Sequence, residues 1–151
     1  MVDVDYMVVA DAATVAEGKL YIHGAGWDMI GAATFPVVHP QLAVAFLLRV
    51  PWNEANLPHR IELDVVNADG QSILPNPPGP MGGTVTVGRP ANITPGNDLL
   101  TPFVFNLAGI TFSQPGDYVM VMRVEGSERK RFPLHLISLA PQAQASISPP
   151  S

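Results

Sequence analysis

Leu42-Ala43-Val44-Ala45-Phe46-Leu47-Leu48-Arg49-Val50, closed by Pro51, decides the fold. Successive side chains of a strand point to opposite faces. Val44, Phe46, Leu48 and Val50 therefore share one face, and Ala43, Ala45 and Leu47 share the other, with Arg49 at its end. Proline cannot donate to a ladder, so Pro51 ends the strand. Working outward, residues 60–66 alternate cleanly. Ile61, Leu63 and Val65 point one way; Arg60, Glu62 and Asp64 point the other. That period of two marks a half-buried antiparallel strand.

Upstream, residues 6–10 form a β-rich run, residues 17–19 a turn, and residues 20–23 a resumed strand. Gly24-Ala25-Gly26 reads as a bulge, with residues 27–30 continuing the same line. Alanines in residues 8–17 would tolerate a helix, but the flanking β-branched and aromatic residues favour a strand and a wide turn. Residues 31–40, with Pro36 and Pro40, read as connecting chain. Downstream, Asn67-Ala68-Asp69-Gly70 is a hairpin signal, with residues 71–74 as the short return. Residues 75–83 are too rich in proline and glycine for a packed element and read as a loop, partly polyproline II. Further strands are expected at 84–88, 100–107, 118–125 and 129–137. No repeat of solenoid length is visible. Short strands spaced by Gly/Pro turns predict an all-β antiparallel sandwich of about seven to nine strands.

Composition narrows the class. The chain has 151 residues, 47% hydrophobic and 14% charged, with 16 Pro, 13 Gly, no Cys and a net charge of −5. Globular chains average about 25% charged residues, so charge is missing from some surface. The apolar content excludes intrinsic disorder. The lack of Cys excludes disulfides, thiolate zinc sites and thiol nucleophiles. The acidic balance argues against a nucleic-acid footprint. No apolar run reaches the roughly 18 residues of a membrane helix. The first residues carry acids where a secretory leader needs a basic start, so a cytoplasmic address is expected. The many Ala, Gly, Pro and Val, with six Arg to two Lys, suggest a GC-rich bacterial genome. Residues 1–137 are expected to form the domain and 138–151 a flexible Pro/Ala/Ser-rich tail.

Two stretches carry a resemblance. Pro115-Gly116-Asp117-Tyr118, followed by residues 119–126, resembles the late hairpin of immunoglobulin-like and fibronectin-like sandwiches. The likeness implies that the Tyr118 hydroxyl bonds back to the backbone at the sandwich corner. The defining disulfide of antibody domains is absent. Ala10-Asp11-Ala12-Ala13, Glu17-Gly18-Lys19-Leu20 and Gly24-Ala25-Gly26-Trp27-Asp28 form the second stretch. With Val50-Pro51-Trp52-Asn53-Glu54, His59-Arg60-Ile61-Glu62-Leu63 and Val87-Gly88-Arg89-Pro90, it is similar to a family of small bacterial single-domain proteins of unknown function. That resemblance implies a compact β-sandwich and names no catalytic residue.

No motif offers chemistry. His23, His39, His59 and His135 lack metal-ligand spacing. A hydrogen-bonded structural role is expected for His23 and an exposed position for His59. Asp3 and Asp5, approached by Asp11 and Asp28, read as an acidic edge rather than a cation loop. Glu62 and Asp64 have the types of an acid/base pair, but alternating surface charge is the ordinary reason for them. No Gly-x-Ser-x-Gly elbow occurs, and Gly79-Pro80-Met81-Gly82-Gly83 lacks the ending of a phosphate loop. Arg129-Lys130-Arg131 reads as a charge-guarded edge.

Trp52, Asn53 and Glu54 have the types of a sugar-binding loop, although Trp52 capping the core is the stronger expectation. The distributed signal is larger. A two-layer sandwich has one buried face per sheet, so strands apolar on both faces need a second cover, either a loop such as residues 75–83 or another subunit. Ala43, Ala45 and Leu47, with Val119 and Val121, are therefore expected to face a protein partner or a second copy. The sequence predicts a non-enzymatic interaction or structural module without cofactor, self-associating or joined to a larger assembly. A carbohydrate- or small-ligand-binding domain built on the Trp52 loop, less readily a hydrolytic one, is the alternative.

Overall fold

The computed structural model describes residues 1–74 and 79–139. Nine strands are named there: β1 (Asp3–Ala16), β2 (Lys19–Ala25), β3 (Met29–Ala32), β4 (Val37–Val50), β5 (Pro58–Val66), β6 (Met81–Thr86), β7 (Leu99–Phe112), β8 (Gly116–Val124) and β9 (Ser127–Ser138). A single 3-10 turn, Trp52–Glu54, joins β4 to β5. The strands form two sheets, ordered β2-β1-β4-β7 and β3-β9-β8-β5-β6. The fold is all-β, as the turn spacing predicts.

The core lies between the sheets. Leu42, Val44, Phe46, Leu48 and Leu107 of the first sheet meet Ile61, Leu63, Met120, Met122 and Leu134 of the second. Each such side chain, fully removed from water, contributes about 1.5–3 kcal/mol. Alternation places them: in β4 the even residues from Leu42 to Val50 face inward. In β1 the register slips between Val4 and Tyr6, and a slip of one exchanges the faces. Val4 is thus buried before the slip, while Met7 and Val9 turn to the core after it.

Two hairpins turn on Glu-Gly. Glu17 (φ 52°) with Gly18 (φ 72°) joins β1 to β2, and Glu125 (φ 50°) with Gly126 (φ 77°) joins β8 to β9. Positive φ at both central residues is the two-residue turn whose twist matches the strands it connects. The expected wide turn after residue 10 is absent, because β1 continues unbroken to Ala16.

Other boundaries differ from the sequence reading. Residues 27–30 do not extend the line of β2. After Gly26 the chain leaves the first sheet, and β3 pairs with β9 of the second, Ile30 opposite Leu136. That pairing is parallel, the exception among the described strand pairings. Residues 31–40 are mostly strand, since β4 begins at Val37 and pairs with β7 along its length. Residues 71–74 contribute a single bridge, Ser72 to Val66, rather than a strand. In the expected 75–83 loop, β6 already begins at Met81, and residues 75–78 lie outside the described residues. The expected tail falls mainly on residues 140–151, also outside them. Ser138 still belongs to β9, and the Leu139 amide donates to the Ala32 carbonyl at 2.8 Å.

Candidate functional site

Part of the surface expected to need a partner, Ala43 and Ala45, is covered by the chain itself. Residues 10–16 of β1 leave β4 to pair with β2. This hairpin lies over the outer face of the first sheet, where Ala13, Leu20 and Ile22 pack on Ala43, Ala45 and Val104. Ala43 and Ala45 are 0% exposed. The β1–β2 hairpin is thus the second cover of Ala43 and Ala45. Small alanines allow the close approach. Leu47 is half-buried on the same strand.

Val119 and Val121 sit on β8 of the other sheet. The five residues therefore do not form one surface. Val121 pairs with Asp64 on one side and Arg131 on the other, and is 2% exposed. Asp64 is 6% exposed and accepts from the Ser72 hydroxyl at 2.6 Å, with Arg123 Nη1 at 3.7 Å. Glu62 pairs with Arg60. Both carboxylates of the suggested acid/base pair are thus engaged, and Ser72 has an Asp partner without a His.

The Trp52 loop is likewise occupied. Trp52 packs against the core. The Arg89 guanidinium lies 4.6 Å from its ring centroid and donates Nη2–H to the Trp52 carbonyl at 2.6 Å. A sugar stacking on that ring would have to displace the cation. Asn53 is exposed, and Glu54 holds its carboxylate 2.6 Å from the Met1 amino nitrogen.

His59 is buried at 6% rather than exposed. Its Nε2–H donates to the Glu54 carbonyl at 2.8 Å, and Nδ1 lies 3.2 Å from Glu125 Oε1. The ring braces the 3-10 turn against the β8–β9 turn, a pairing that only the tertiary fold creates. His23, expected to be hydrogen-bonded, is exposed. His135 Nδ1 lies 2.7 Å from Asp117 Oδ1, with Asp28 3.9 Å from Nε2. The hydrogen bond to Asp117 raises the His135 pKa, helped by the charges of Asp117 and Asp28. Asp5 meets Arg49 through two contacts, 2.8 and 2.7 Å. The Arg49 hydrogen bond holds its pKa below the usual range, helped by the charges of Arg49 and Lys130. Among the described residues no group of three or more His, Asp or Glu could hold a metal ion.

Tyr118 is buried, and its hydroxyl donates to the Gln114 carbonyl at 2.8 Å, the corner bond the late hairpin implies. Phe112 meets its ring edge-on at 5.0 Å between centroids.

Among the described residues β7 pairs with β4 and β6 with β5, and neither strand has a second hydrogen-bonded neighbour. Phe103 and Phe105 stack on Phe46 at 5.6 and 5.5 Å between centroids. With Val85 and Ile61 they line a cleft of about 240 Å³ between the two edges. β7 holds 14 residues and none is charged, nor is any of the six in β6. Free edges are usually guarded by charge, proline or bulges. Here Pro102 is the main guard. The sequence signal was present in the uncharged run of residues 99–112, but which strand ends a sheet is a matter of topology.

Strand order and packing define a small two-sheet β-sandwich whose β6 and β7 edges carry no charged residue. Residues 5–137 match the family model described as Family of unknown function (DUF6941), and the chain belongs to that family. No curated protein matches. Among solved structures the chain is similar to Pseudomonas fluorescens alkylpurine DNA glycosylase AlkC bound to DNA containing an abasic site analog. The TM-score is 0.44 at 11% identity, over 91% of this chain and 30% of that one. A likeness of that degree bears on neither activity nor ligand. Among the described residues no helix is long and apolar enough to cross a membrane.

Proposed function

We propose that this protein is a non-catalytic interaction module that self-associates by pairing the free edge of β7 with the same edge of a second copy. The observation that carries this reading is the 14-residue edge without a charged residue, beside half-buried Phe103 and Phe105. An antiparallel pairing across a two-fold axis presents the same patch on both copies, so one edge suffices for a closed dimer. Backbone hydrogen bonds supply affinity in such strand addition, and side chains set the register. Pro102 lacks an amide hydrogen, so the copies would pair mainly along residues 103–108.

The strand order supports an immunoglobulin-like assignment within this reading. The β9-β8-β5-β6 run corresponds to the G-F-C-C′ sheet, with β1, β4 and β7 as A, B and E. A strand D beside E has no counterpart among the described residues. A bacterial cytoplasmic setting, and membership of a larger assembly, belong to the same proposal.

Hydrogen exchange tests it. Protection of the β7 amides should rise with protein concentration, while β2, the opposite edge of the same sheet, stays unchanged. Equal β7 protection in dilute and concentrated samples would contradict the proposal.

A further inference from the structure

Away from the β6 and β7 edges, the chain crosses between sheets through Gly26, Trp27 and Asp28. Trp27 is held there by its indole Nε1–H, which donates to the Gly24 carbonyl at 2.6 Å. Trp27 lines two hollows. One, of about 360 Å³, is formed with Asp11, Met29, Ile30 and His39. The other, of about 310 Å³, is formed with Val8, Val9, Asp28 and Phe132. The His39 ring centroid lies 6.2 Å from that of Trp27, tilted 51°.

The chemistry of these walls is one-sided. No lysine or arginine lines either hollow. Asp5 and Asp64 have arginine partners, whereas Asp11 has no cation partner among the described residues, and Asp28 has only His135 at 3.9 Å. Gly24 lies opposite Asp11 on β2, and a Cβ built there would overlap the Asp11 carboxyl group. The missing side chain is what makes room for the carboxylate at this position. Trp27 and the uncompensated Asp11 carboxylate line one shallow, open hollow, and an indole with a carboxylate across such a hollow is the pairing that attracts a weakly hydrated organic cation.

We infer that the hollow between Asp11, Trp27 and His39 is a binding site for an alkylammonium or guanidinium group. The Trp27 ring offers its π system, Asp11 offers the opposing charge, and Met29 and Ile30 offer an apolar floor for the carbon part. The group could be a free amine or the side chain of a basic peptide. This site is separate from the β7 edge, so either proposal can fail without the other.

Trp52→Phe leaves Trp27 as the reporter tryptophan. Its fluorescence is titrated with tetramethylammonium, guanidinium and an arginine-containing tripeptide at constant ionic strength, with sodium as the control. Saturable quenching by the organic cations alone supports the site, and preference between the small ions and the tripeptide identifies the source. Asp11→Asn, at an exposed position, should weaken binding about tenfold, the order expected for a cation–π contact with its counter-charge. A response equal to that of sodium, or a titration unchanged by Asp11→Asn, would overturn the inference.

Discussion

At the residue scale, the most informative side chains are those whose polar tips find a fixed partner. Tyr118 is buried with its hydroxyl on the Gln114 carbonyl. Tyr118→Phe keeps the packing and removes that bond, so it should cost about 1 kcal/mol in denaturant unfolding. His135 gives a pH signature. Its folded pKa is raised by the hydrogen bond to Asp117. Stability from this contact is fully present below the unfolded value of about 6.5 and is lost as pH rises through the folded value. An NMR titration should show His135 titrating above the ordinary histidine value, and Asp117→Asn should bring it down. Asp5 has the opposite sign. The Arg49 hydrogen bond lowers its pKa, so its contribution is present at neutral pH and lost as pH falls through the folded value.

At the element scale, the hairpin of β1 and β2 is the feature that alternation could not show. Residues 42–50 announced a strand apolar on both faces, and that was legible because a two-residue period is local. What covers the second face was not, since it depends on a hairpin folding over strands more than twenty residues away. Ala45, at 0% exposure beneath that hairpin, should not accept bulk: Ala45→Leu is expected to cost about 1–3 kcal/mol in an unfolding measurement. β6 has a comparable constraint. A Cβ at Gly82 would overlap the Ile61 carbonyl oxygen, a backbone atom that cannot swing aside. Gly82→Ala should therefore loosen the β5–β6 pairing by about 2 kcal/mol, seen as faster exchange of amides in β6. The same distinction between local and distant signals explains other differences. The turns at Glu17-Gly18 and Glu125-Gly126 are written in adjacent residues. The move of β3 to the second sheet and the burial of His59 against Glu54 and Glu125 are set by distant strands.

At the scale of the whole molecule, the low charge content acquires a location. Alternation leaves charge missing from the outer faces of residues 42–50 and 118–124. The first of those faces lies under the β1–β2 hairpin, and Val121 on the second sits between Asp64 and Arg131. Among the described residues the uncharged sheet edges are instead those of β7 and β6, flanking the Phe103–Phe105 cleft. Self-association through that edge is the central claim, and light scattering across a concentration series tests it most directly. The native chain should rise from monomer toward dimer mass with concentration. Asn106→Lys with Ala108→Lys, both at exposed positions of β7, should remain monomeric throughout with an unchanged melting curve. A native chain that stays monomeric at every concentration, or an association that survives the two lysines, would contradict the account.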